Sequence, residues 1–189
     1  MWQLSNVISD AVLAVVGLGV YFTYFSRVPL YNRLLWGVFL VTISMAAGVG
    51  ACRFAGVGWL VPLHVSLQNV ASSVGIMSVV VAVWALINSS VVSHQVWLTT
   101  LSVGFGVFAL LTFTALSGFT LVVQSLGMLA TMLIAVYGLA RGYRKATWII
   151  AGIMIVGIAT KMPAQSFFNA TDLYHYSLAL TLVCFGKSV

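Results

Sequence analysis

Seven apolar runs of membrane-spanning character follow one another along this chain, separated by six short polar breaks. The runs cover approximately residues 7–25, 34–53, 66–87, 96–116, 119–140, 146–161 and 172–188. The breaks read "SRVPLYNR", "RFAGVGWLVPLH", "NSSVVSHQ", "LSG", "RGYRK" and "KMPAQSFFNAT", each holding Pro, Gly, Asn, Ser or charge. A helix of about 20 apolar residues matches the thickness of the hydrocarbon core. Only helices and closed barrels satisfy the backbone in lipid, and barrel strands would alternate polar and apolar residues, which these runs do not. The expectation is therefore all-α: an integral membrane seven-helix bundle forming a single transmembrane domain over residues 1–189. The sixth run is short and is expected to extend past Lys161 by tilting or snorkelling.

Composition closes off the soluble alternative. Charged residues make up 5% of the chain and hydrophobic ones 62%, against about 25% charge in a soluble domain. The net charge of +6 comes from eight basic residues set against two acidic ones, Asp10 and Asp172. The basic residues are scattered at span ends with no dense run, so nucleic acid is not an expected partner and orientation in the bilayer is the better use. Arg27, Arg33, Arg141, Arg144, Lys145 and Lys187 fall on one side, and Arg53 and Lys161 on the other. Positive-inside then puts the N-terminus outside and the C-terminus in the cytoplasm. The first run lacks a basic leader and a convincing cleavage site, so it is expected to be a retained span. Cys52 and Cys184 fall at opposite faces, too far apart for a disulfide. Loops are short, so activity is expected within or beside the bilayer, with membrane lipids and other membrane subunits as the candidate partners.

The same topology gathers the unusual polar residues in the outer half. Asp10 lies one turn into the first span, Cys52 and Arg53 end the second, and His64 and Gln68 enter the third. Gln124 lies early in the fifth span, Lys161 and Gln165 close the sixth, and Asp172 and His175 open the seventh. Ionisable groups at membrane depth are costly, about 2.5–3.5 kcal/mol at the helix centre. One reading makes them a clasp, with Asp10 and Asp172 paired to Arg53 and Lys161. The other notes that Asn169, Asp172 and His175 recur at i, i+3 and i+6, on one face of a helix that begins before Asn169. A carboxylate one turn before an imidazole orients it, fixes its tautomer or shares a metal with it. Small residues also recur every four positions, at Ser44, Gly48, Cys52 and Gly56 and at Ala71 and Gly75, as in helices that pack closely in lipid.

Three stretches, "SNVISDAVLA", "VTISMAAGVGACRF" and "FFNATDLYHYSLAL", resemble the CREST superfamily of alkaline ceramidases, progestin/adipoQ receptors and Per1-like proteins, and look most like its small bacterial members. The resemblance implies a seven-helix bundle in a bacterial inner membrane. It also implies a zinc ion on three histidines near one face, where metal-bound water attacks a lipid amide. Ser44 matches the serine of the second helix, and Asp172 and His175 match the motif of the seventh, which makes them the implied catalytic residues. The chain departs from the pattern at Gly48 and at Thr171, where the family carries histidines. A zinc tetrad rebuilt from Cys52, His64, Asp172 and His175 is the remaining metal arrangement. Beside a metal-dependent lipid hydrolase stands an accessory or scaffold subunit of a larger membrane complex, holding lipid, pigment or quinone. A transporter lacks the expected repeat, a bis-His haem would require His64 and His175 to face each other, and retinal is not expected because Lys187 sits at a span end.

Overall fold

The computed structural model describes residues 2–113, 118–162 and 169–189, and among these it is built of seven helices. They are α1 (Trp2–Tyr24), α2 (Leu30–Phe54), α3 (Gly58–Ile87), α4 (His94–Phe113), α5 (Thr120–Ala140), α6 (Ala146–Ala159) and α7 (Ala170–Lys187). The first five are long and apolar enough to cross a membrane. α6 is apolar but has 14 residues, and α7 opens on a polar turn.

The breaks act through backbone chemistry. Pro29 precedes α2 in an extended conformation, as a residue without an N–H does before a helix start. Gly56 ends α2 at φ +109°, with its N–H and that of Val57 turned back onto the carbonyls of Arg53 and Cys52; only glycine takes this left-handed position without strain. The second break is shorter than the sequence suggests. A 3-10 turn at Gly58–Leu60 leads directly into α3, because Pro62 falls in the first helical turn, where its missing N–H has no intrahelical partner to lose. α3 therefore begins eight residues before position 66, and His64 lies within the helix rather than at its entrance. Ala71–Gly75 form a π-helical turn in the middle of α3. Such turns are rare and recur at functional sites.

The helices close a ring. α1 packs between α2 and α7, α7 against α6, α6 against α5, α5 against α3, and α3 against α2, while α4 packs mainly on α3. At the end where α1 and α7 finish and α2 begins, the ring is filled with aromatics: Trp36 and Phe39 of α2 meet Phe185 of α7, and Phe25 stacks beside Trp36. Near the same end, Asn32 ties α2 to the loop before α4, donating to the Ser90 carbonyl at 2.9 Å and accepting from the Val92 N–H at 2.8 Å. The outside of the ring is apolar, with Val15, Phe22, Phe113, Leu121 and Leu133 all well exposed. That surface suits lipid and would be an aggregation hazard in water.

The small-residue stripe on α2 packs only in part. Ser44 sits against Gly17 of α1, and Gly48 faces Ala14. Cys52 is exposed and Gly56 belongs to the turn, so neither takes part. In α3, Gly75 lies against Thr42 and Phe39 of α2.

Candidate functional site: a buried Asp–His–Ser network beside a cavity

The opposite end of the ring, where α1 and α7 begin and α2 ends, is polar. The stretch Ser5-Asn6-Val7-Ile8-Ser9-Asp10 places four polar side chains at i, i+1, i+4 and i+5, so that they share one face of α1. That face packs on the first turns of α7. α7 starts cleanly because Asn169 is its N-cap, accepting from the Thr171 N–H at 3.2 Å, while its amide nitrogen donates to Asn6 Oδ1 at 3.0 Å. Asn169 thus stands just outside the helix instead of on its face. Asp172 follows in the first turn, where a carboxylate complements the positive end of the helix dipole.

Asp172 is 1% exposed and its carboxylate receives two hydroxyl donors. Ser9 Oγ donates to Oδ1 at 2.6 Å and Ser5 Oγ donates to Oδ2. One turn on, His175 Nδ1 lies 3.2 Å from Asp10 Oδ1 and 3.2 Å from Ser9 Oγ. The Ser9 hydrogen already goes to Asp172, so the Nδ1–H of His175 is the donor to both oxygens. This fixes the tautomer and leaves Nε2 as an acceptor when the ring is neutral. Asp10 is also 1% exposed, and its buried Oδ2 has no hydrogen-bond partner among the described residues.

Opposite Asp10, the ring of His64 comes in from α3. Its Nδ1 lies 2.9 Å from the Ala46 carbonyl of α2. A carbonyl only accepts, so Nδ1 carries the hydrogen and Nε2 is again the acceptor. Asp10 and His64 approach each other across Gly50. A Cβ there would lie 2.4 Å from Asp10 Oδ2 and 2.8 Å from His64 Cε1. Gly50→Ala is expected to push the two side chains apart at a cost of about 1–3 kcal/mol, as overpacking does. The check is thermal unfolding in detergent beside Gly48→Ala, whose Cβ meets only Ala14 at 4.0 Å and should be nearly neutral.

Asp10, His64 and His175 line a half-open cavity of about 280 Å³. Gln68, Asn69 and Ser72 reach it from α3 around the π turn, and Gln124 from α5. Gln124 is anchored by its amide, which donates to the Tyr174 hydroxyl at 3.3 Å. Leu13, Phe39, Ile43, Ile76 and Met128 make the rest apolar. A lining of both polar and apolar side chains in a bilayer-compatible bundle suits a small amphiphile.

A model of a family of unknown function, DUF6962, matches residues 5–189. The chain belongs to that family. No curated protein and no solved structure matches this DUF6962 chain.

Several residues singled out in the sequence sit elsewhere in the DUF6962 fold. Arg53 and Lys161 do not pair with the carboxylates. Arg53, in the last turn of α2, lies with its guanidinium 4.9 Å from the Phe54 ring centre, and Lys161 is exposed in the turn after α6. Among the described residues, the ionic contact to Asp10 comes from His175. A short imidazole on the adjacent helix reaches a buried carboxylate, while a long cation at a helix end turns to the interface. Ser44 is buried two turns away, donating back to the Leu40 carbonyl at 2.8 Å. Gln165 lies outside the described residues. Among the described residues, no three His, Cys, Asp or Glu side chains are placed to hold a metal ion. The tetrad of Cys52, His64, Asp172 and His175 is therefore not assembled: Cys52 is exposed, and Asp172 is engaged by Ser5 and Ser9. Sequence reasoning missed Ser5, Ser9, Asn6 and Gly50.

Proposed function

We propose that this DUF6962 chain is a seven-span membrane protein, N-terminus outside and C-terminus cytoplasmic, that takes a small amphiphile into the cavity beside Asp10, His64 and His175. The orientation is supported by the placement of Arg and Lys, six residues against two. The observation that carries the ligand reading is the cavity itself: about 280 Å³, lined by an acid and two imidazoles together with aliphatic side chains. Burying two carboxylates in such a bundle is costly, and a clasp alone would not leave a cavity beside them.

The test is native mass spectrometry of protein extracted in mild detergent. The wild type should carry a retained small molecule or bind an added alkyl amphiphile. Ala71→Phe, which fills the cavity from the π turn, should lose it while keeping its helical circular dichroism. Equal binding by both proteins would refute the reading.

A second reading makes the same cavity a hydrolytic site, in line with the CREST resemblance and without its metal. The Asp10–His175 contact favours it, because an imidazole held at Nδ1 by a carboxylate offers Nε2 as a general base. In that reading Nε2 takes a proton from water, the water oxygen adds to an acyl carbon, and the proton passes to the departing group. Release of a fatty acid or amine from bilayer lipid, abolished in His175→Ala, is the outcome that reading requires.

A further inference from the structure

We infer that the head group this cavity selects is a primary ammonium, one that supplies several N–H donors and a positive charge. The inference rests on the ligand reading above and deepens it. Three acceptors belong to side chains that line the cavity and, among the described residues, take no donor. Asp10 Oδ2 is buried against Gly50 of α2 and has no hydrogen-bond partner among the described residues. His64 has its Nδ1 hydrogen committed to the Ala46 carbonyl, and His175 has its own committed to Asp10 and Ser9. Each ring therefore offers Nε2 as an acceptor.

Charge points the same way. Asp10 and Asp172 are two buried acids on adjacent helices, and among the described residues neither is in an ion pair with Arg or Lys. Asp172 is compensated by two hydroxyl donors. Among the described residues Asp10 has only the shared N–H of His175 as a donor and feels Arg53 only from beyond pairing distance, so one carboxylate oxygen is left without a donor and its charge without a paired cation. An ammonium group answers both deficits at once through charge-assisted hydrogen bonds. An anionic head would meet Asp10 with no Arg or Lys among the described residues that line the cavity. A quaternary ammonium carries charge but no N–H, so it leaves the acceptors unsatisfied. The apolar lining residues Leu13, Ile43 and Met128 take the first carbons of an alkyl chain.

The experiment compares octylamine, octanol, octyltrimethylammonium and octyl phosphate on the intact protein in one detergent, with affinity read from ligand-dependent thermal stabilisation. Octylamine is expected to bind about tenfold or more tightly than each of the other three, a margin of charge-assisted hydrogen bonding. Asp10→Asn should remove most of that advantage, because the amide keeps the size of the carboxylate but not its charge. Octyl phosphate equal to or tighter than octylamine in the wild type overturns the inference without reference to any variant. So does an Asp10→Asn protein that still prefers the amine. Octanol binding that Ala71→Phe abolishes, with no preference for the amine, leaves the cavity as a ligand site and refutes only its head-group selectivity. Failure of every probe on the wild type refutes both.

Discussion

His175→Ala should destabilise the protein by about 3–5 kcal/mol, because a hydrogen bond to a carboxylate is lost and the buried carboxylate is left without a donor. The loss falls on Asp10. Among the described residues its Oδ2 already has no partner, and without His175 its Oδ1 would have none either, at 1% exposure in the interior of the bundle. Ser9 offers little relief, because its hydrogen is committed to Asp172. The measurement is reversible unfolding in mixed micelles by denaturing detergent, for His175→Ala, Asp10→Ala and the double variant. Because the carboxylate that suffers in the first variant is gone in the double variant, the two effects should fall short of additivity by about 1–3 kcal/mol. Strict additivity would mean that the two side chains do not sense each other.

Asp172→Ala comes second, at about 3 kcal/mol. Two hydroxyl-to-carboxylate bonds disappear, each worth about 1.5–3 kcal/mol, and with them the connection of α1 to the first turn of α7. Part of the loss is recovered because the Ser9 hydroxyl lies 3.2 Å from the Asn6 carbonyl and can turn to it. Asp172→Asn retains an acceptor for one serine and should cost less than half as much. The same unfolding assay checks both. An alanine variant as stable as wild type would mean that Ser5 and Ser9 do not hold Asp172.

The two sites differ in how far the sequence revealed them. Asp172 and His175 were legible because acids are so scarce here that one set a turn before a histidine demands a partner. The topology that brings the beginnings of α1 and α7 together followed from counting spans. What stayed hidden was the partner. Charge arithmetic matched Asp10 and Asp172 to Arg53 and Lys161, whereas reach decided in favour of a neighbouring imidazole and two serines. Serines on apolar helices read as helix-packing residues, as Ser44 proves to be. The signal that separated Ser5 and Ser9 was their spacing in "SNVISD", which stacks them on the face of Asp10. Gly50 was hidden for a related reason. The four-residue stripe drew attention to Gly48, but the closest approach falls two positions on, where Asp10 and His64 come together over the α2 backbone. The cavity had no signature at all, since it depends on the π turn at Ala71–Gly75 and on an α3 that starts at Gly58 rather than after Pro62.

The central claim is that α1 and α7 are joined by buried polar contacts rather than by apolar packing alone. A solid-state NMR experiment on protein in lipid bilayers, labelled with ¹⁵N at histidine and ¹³C at aspartate, reads this directly. The structure places His175 Nδ1 3.2 Å from an Asp10 oxygen, so a clear dipolar coupling between Nδ1 and the Asp10 carboxyl carbon is predicted, and it should vanish in Asp10→Asn grown with the same labels. A protein that remains folded and ligand-competent in the bilayer but shows no His175–Asp10 coupling would contradict the account.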